Sequence, residues 1–244
     1  MSTSSTEKSQ RLIQVYFFST GFLEPYRALL HGVQSAEERR RFTTLKNRSL
    51  QQIRVLSRGI TRVVLSRFTG TAAQELRLRE NKFGKPFLLQ QEIHFSASHS
   101  QNFFAIAISE GPVGLDIEEE RRQEIDFTSV ARSVFQKDEV TWLEDRTPQA
   151  RSKAFRKLWT EKEAVLKADG QGFARSLKDF HFASPGSDIR KVSSTKNASR
   201  TEWFTHFLGR SEGITAAIAT AHESATTKLI WNDSSLFQPL GHGT

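Results

Sequence analysis

Between Asn47 and Phe68 the apolar residues Ile53, Leu56, Ile60, Val63 and Val64 return at helical intervals, which predicts a long helix with one buried stripe. A shorter helical segment, Glu37 to Leu45, precedes it. The apolar run Leu12 to Phe18 is short and no small-residue cleavage site follows it, so it reads as a strand and not as a leader peptide. A β-like segment from Glu75 to Arg79 comes next, then a Gly84-Lys85-Pro86 turn and the alternating strand Phe103 to Ser109. The second half passes through a similar succession. Gln136 to Leu143 and Ser152 to Ala168 are helical, Asp179 to Phe182 is β-like, and Trp203 to Leu208 and Ile214 to Thr220 read as strands. Residues 1–10, Ser184 to Arg200 and the polar end from Asp233 read as tail or loop.

Matching element order in two halves predicts duplicated lobes meeting near Gly111-Pro112, residues 1–111 and 112–244, with a ligand cleft between them. The expected class is α+β, each lobe a small antiparallel sheet packed on a long helix. With 244 residues and 37% hydrophobic content the chain needs neither a disulfide nor a metal to fold. Cysteine is absent, which excludes thiol nucleophiles and Cys-based zinc sites and fits a reducing, cytoplasmic setting. No apolar stretch approaches the roughly 20 residues of a membrane-spanning helix.

Charge changes this picture in one respect. All of the +8 excess lies in residues 1–115, where 16 Lys and Arg face 8 Glu and no Asp. Such a field attracts phosphates, nucleic acid or an acidic protein.

Several side chains are placed for chemistry. Val113 to Glu118 reads as a strand, so Asp116 and Glu118 project from the same face. Adjacent carboxylates repel unless a cation sits between them, and such hard oxygens suit magnesium; an acidic strand end running into solvent has the same pattern. On the Phe155 to Ala168 helix, Glu163 and Lys167 stand four residues apart, the spacing of an ordinary surface ion pair as well. Gly170 is placed to cap that helix. Ser98-His99-Ser100 is expected in a turn whose donors face a phosphate, and Lys85 is a turn residue that also offers a phosphate contact. Arg54, Arg58 and Arg62 form a stripe whose commonest meaning is a solvated face. Arg48 differs, because a helix N-terminus already favours anions.

In chain order the segments are Phe83-Gly84-Lys85-Pro86, Ser96-Ala97-Ser98-His99-Ser100, Val113-Gly114-Leu115-Asp116-Ile117-Glu118, and Trp159-Thr160-Glu161-Lys162-Glu163-Ala164-Val165-Leu166-Lys167 followed by Gly170-Gln171-Gly172. This series resembles the 4′-phosphopantetheinyl transferases, and more narrowly the two-lobed monomeric type that activates surfactin synthetase. It covers roughly residues 37 to 220. One departure is Ser96-Ala97, where many members carry Asn and a β-branched or Leu residue. The resemblance implies that Asp116, Glu118 and Glu163 bind magnesium, which clamps the pyrophosphate of coenzyme A. It also implies that Lys167 neutralises the departing 3′,5′-ADP, that Lys85, Ser98 and His99 contact phosphates, and that Arg48 lies near the 3′-phosphate. Glu163, directly or through a metal-bound water, is the implied base for the serine of an acidic carrier protein, with Glu139 a second candidate.

A magnesium-dependent nuclease is the principal rival. It would want an Asp before Glu80-Asn81-Lys82, and none precedes it; no RNA-binding signature interleaves aromatic with basic residues. A non-enzymatic binding module leaves the linked Asp116, Glu118, Glu163 and Lys167 pattern unexplained.

Overall fold

The computed structural model of the chain describes residues 11–89, 91–120, 127–182, 186–194, 202–211 and 213–238. It opens with strand β1 (Arg11–Ser19) and two short helices, α1 (Thr20–Leu23) and α2 (Arg27–Gly32). Helix α3 (Ala36–Thr43) begins at a capping box in which Ser35 Oγ accepts from Glu38 N and the Glu38 carboxylate accepts from Ser35 N. Asn47 caps the long helix α4 (Arg48–Thr69) by accepting from Leu50 N. The expected stripe is buried: Leu56, Ile60 and Val64 pack in one cluster with Phe18, Phe104 and Ile106. Strands β2 (Leu78–Glu80), β3 (Pro86–Leu88), β4 (His94–His99) and β5 (Phe103–Ser109) follow.

The second succession runs β6 (Val113–Glu119), α5 (Thr128–Val134), α6 (Lys137–Glu144), α7 (Pro148–Asp169), β7 (Phe180–Phe182), β8 (Ile189–Ser194), β9 (Trp203–Ser211) and β10 (Ile214–Thr220). Pro148 at the start of α7 suits the first helical turn, so this helix begins four residues earlier than its hydrophobic period does. Its sheet is antiparallel in the order β6-β10-β9-β8-β7. Phe155, Leu158 and Val165 of α7 share a cluster with Phe180, Phe182 and Ala217. Each long helix therefore backs its own sheet, the α+β arrangement the pattern predicts.

Three expectations need correction. The Ser184 to Arg200 stretch contains β8, whose polar exposed positions hide its alternation. Ser98 and His99 lie in β4 and not in a turn: Phe95 faces the core while Ser96 and Ser98 line the opposite buried face, where hydroxyls carry no hydrophobic signal. Finally, the chain does not stay in the second lobe. Strand β11 (Ala225–Trp231) pairs parallel with β1, making the first sheet β11-β1-β5-β4 mixed and not purely antiparallel. Residues 234–238 are anchored there too: Leu236 is buried, Phe237 stacks on Tyr26 at 3.7 Å, and Arg67 donates to Ser235 O and Leu236 O.

A third cluster joins the two sheets. Ile13, Val15 and Ala107 from the first meet Leu115, Ile117 and Ile218 from the second. Buried apolar surface therefore holds the two sheets against each other.

Candidate active site

The cleft depends on how closely β6 lies against α7. A Cβ on Gly114 would fall onto the backbone of Ala164 and Ala168, so only glycine allows the strand to rest directly on the helix. Two residues on, Asp116 reaches the helical turn that carries Glu163 and Lys167. Lys167 Nζ lies 2.6 Å from Asp116 Oδ1 and donates to Ser98 Oγ at 2.8 Å, while Ser98 Oγ donates to Asp116 Oδ1 at 2.9 Å. Residues 69 and 51 positions apart in sequence are thereby joined in one triangle across the lobe boundary.

The triangle leaves charge uncompensated. Asp116 Oδ2 is buried without a hydrogen-bond partner. Burial pushes the Glu163 carboxyl above its ordinary range, the neighbouring Asp116 charge pushes it further, and Lys167 opposes both. An unused carboxylate oxygen beside a second, repelled carboxylate is a donor set that fits a hard cation. Glu118 lines the same cleft. Among the described residues no cage of three acidic or imidazole groups is already assembled.

The main cavity encloses about 530 Å³. Arg41, Arg54, His99 and Lys167 line it together with Asp116 and Glu118. Burial holds the His99 imidazole below its usual value, and Arg54 and Lys167 add to this while Asp116 opposes it. A more apolar extension of about 310 Å³ runs past Phe83, Pro86 and Leu166 and has Glu163 and Lys167 in its wall. A polar basin and an apolar channel thus meet at Lys167.

Five of the sequence-derived candidates converge here: Ser98, His99, Asp116, Glu118 and Lys167 line the main cavity, with Glu163 adjoining. Lys85 lines the apolar extension with Glu163 and Lys167, whereas Arg48 and Glu139 lie apart from the cleft. Lys85 Nζ donates to Ala168 O at 3.0 Å and to Val113 O at 3.3 Å, so its charge caps the end of α7 and pins it to β6. Burial lowers this ammonium to about 8, against the attraction of Asp169. Arg48 is exposed at the first turn of α4 and is not among the cavity walls. Glu139 is fully buried, closes the α6 capping box on Gln136 N, accepts from Phe182 N, and lies 2.8 Å from Lys162 Nζ, out of reach of any substrate.

The arginine stripe also divides. Arg62 turns inward to Glu38 at 2.8 Å, whereas Arg58, 3.4 Å from Glu38, and Arg54 both line the cavity. Sequence reasoning passed over Arg54 because its spacing resembles a solvated face. The available signal was that a stripe flanking a buried one has two edges, of which one faces the neighbouring sheet.

A family model described as the 4′-phosphopantetheinyl transferase superfamily matches residues 112–221. The chain is similar to a 4′-phosphopantetheinyl transferase, gsp, of Aneurinibacillus migulanus, 38% identical over 107 residues, 44% of each chain. It is similar to HetI, a 4′-phosphopantetheinyl transferase of a Nostoc species, 30% identical over 190 residues that span 76% of this chain and 72% of HetI. Sfp, a 4′-phosphopantetheinyl transferase of Bacillus subtilis, is 28% identical over 122 residues, 50% of this chain and 53% of Sfp. The match spans less than half of gsp and 61% of a further, Synechocystis relative.

Proposed function

The chain belongs to the 4′-phosphopantetheinyl transferase family, and from that premise we propose that it transfers the phosphopantetheine arm of coenzyme A to a serine of an acidic apo carrier protein, with magnesium as cofactor. The single observation that carries this reading is the Asp116–Lys167–Ser98 triangle with the unpartnered Asp116 Oδ2 and the repelled Glu163 beside it.

Phosphoryl chemistry needs positioning and charge neutralisation more than covalent help from the protein. Asp116, Glu118 and Glu163 would hold magnesium, whose positive charge offsets that of the diphosphate. Arg54, His99 and Lys167 supply donors for phosphate oxygens in the basic half of the cavity. The carrier serine oxygen attacks the β-phosphorus, forming the new phosphoester. The bond from that phosphorus to the oxygen of 3′,5′-ADP breaks. Glu163, as the carboxylate, takes the serine proton, and burial and the Asp116 charge raise its affinity for that proton. Lys167 would offset the charge gathered on the departing 3′,5′-ADP. Among the described residues no helix is long and apolar enough to cross a membrane, and the reading takes the protein as a cytoplasmic monomer.

The test is the intact mass of an apo carrier after incubation with protein, coenzyme A and magnesium. One phosphopantetheine on the carrier serine, and none on its Ser→Ala variant, is the expected result. Unmodified carriers from several unrelated systems, with no coenzyme A binding, would refute it; nucleic-acid cleavage in their place would favour a nuclease.

A further inference from the structure

Among the described residues strand β6 ends its sheet, with β10 along one edge and no strand along the other. Amides on an uncovered, buried edge must find other partners. Here Leu115 N donates to Ser96 Oγ at 3.0 Å, Ile117 N to Ser98 Oγ at 3.3 Å, and Glu119 N to Ser100 Oγ at 3.2 Å. Serines two residues apart on one strand match amides two residues apart on the other, so hydroxyls replace a backbone ladder. The match explains the departure at Ser96: its hydroxyl satisfies the amide just before Asp116.

The three held amides alternate with the two carboxylates. Leu115 and Ile117 flank Asp116; Ile117 and Glu119 flank Glu118. The far end is tied a second time, because Asn102 N donates to Glu119 Oε1 at 2.6 Å. The fold itself does not depend on these bonds alone, since β6 is also paired along its whole length with β10 and buries Leu115 and Ile117 in the shared core. What the hydroxyls add is control of the edge nearest the cleft. Ser98 belongs to the cleft chemistry already described; Ser96 lies in the wall of the apolar extension, but among the described residues neither it nor Ser100 touches Asp116 or Lys167 through a hydrogen bond.

We propose that Ser96 and Ser100 are positioning residues for the transfer reaction: through the amides of Leu115 and Glu119 they fix β6 of one lobe on β4 of the other, and so hold Asp116 and Glu118 in place opposite α7. This rests on the transferase reading. A hydroxyl is the required group. Alanine leaves a buried amide without an acceptor, and threonine keeps the acceptor.

The experiment compares Ser96→Ala, Ser100→Ala and the two Thr variants with the wild type. Amide exchange at Leu115 and Glu119 is read by NMR, unfolding by thermal melting, and transfer by kcat and the half-saturating magnesium concentration. Each Ala variant should speed exchange at its own amide and raise half-saturating magnesium about fivefold, the factor one net hydrogen bond supplies. The Thr variants should restore both. Faster exchange and a lower melting point with unchanged magnesium dependence and kcat would reduce the serines to structural parts and overturn the proposal. So would Thr variants that behave like Ala. If Ser96→Ala fails to fold, Ser100→Ala carries the test, because Ser100 is partly exposed at the rim. A wild type that melts normally, shows slow exchange at these amides and transfers nothing would sink the transferase reading instead, and with it the positioning role, while leaving the ladder intact.

Discussion

Helix α4 and helix α7 each run 22 residues and end on a glycine in the left-handed region, Gly70 at φ 68° and Gly170 at φ 73°. Both carry charged residues at helical spacing beside an apolar stripe, yet their charges are spent differently. In α4, Arg62 is 2% exposed and all its bonds stay within the first lobe, to Glu38 and to the carbonyls of Ala73 and Leu76. In α7, one set is equally internal: Lys162 lies between the Phe135 and Phe182 rings and pairs with Glu139, and Glu161 meets Arg190. The other set, Glu163 and Lys167, faces the cleft: Lys167 pairs with Asp116 of β6 and donates to Ser98 of the other sheet, and Glu163 is repelled by Asp116. Spacing along a helix does not separate structural from chemical charge. The location of the partner does.

That contrast is broken most severely by removing a charge whose partner is internal. Lys162→Ala leaves Glu139 buried without its counter-ion and should cost about 3–5 kcal/mol in urea unfolding. A loss under 1 kcal/mol would mean that the pair is not the structural element described.

Glu163→Gln should do the reverse. Transfer should fall about a hundredfold or more, while the urea midpoint stays at or above that of the wild type, because a buried and repelled carboxylate has been neutralised. A folded variant with full activity would remove Glu163 from the mechanism.

A milder contrast lies within α4. Arg54→Ala should raise the KM for coenzyme A about tenfold, the scale of one charged hydrogen bond, and Arg48→Ala should leave it within about twofold. The opposite ranking would restore the helix N-terminus as the phosphate site.

The smallest effect concerns Lys85. Its folded value of about 8 lies below the ordinary lysine value of 10.5, so the unfolded chain binds more protons between those limits. The contribution of this group to stability therefore rises with pH from about 8 to 10.5. Wild type should gain on Lys85→Met in urea unfolding across that window, and a relative loss there would contradict the burial argument.

What the sequence disclosed, and what it hid, follows the same division between local and distant partners. The α4 stripe and the strand Ile214–Thr220 were legible because period and burial coincide within one segment. Asp116, Glu163 and Lys167 emerged as a set only through their joint spacing. Strand β11 stayed hidden because Thr226, Lys228 and Leu229 face solvent and weaken its alternation. Glu139 misled because an acid at the start of a helix also satisfies a capping box, and Gln136 three residues earlier was the clue. Lys85 could not be assigned, since its carbonyl partners are 28 and 83 residues away. Ser96 and Ser100 give no hydrophobic signal at all, although hydroxyls at every second position of a buried strand are a pattern worth recognising.

The central claim is that the unbalanced carboxylates of Asp116 and Glu163 need a cation before the cleft accepts a diphosphate. Calorimetric titration of coenzyme A into the protein, with magnesium and then with a chelator, tests it directly. Binding with magnesium that weakens at least about tenfold on chelation, the effect of roughly one uncompensated charge contact, is the result this account expects. Equal affinity in both conditions would contradict it.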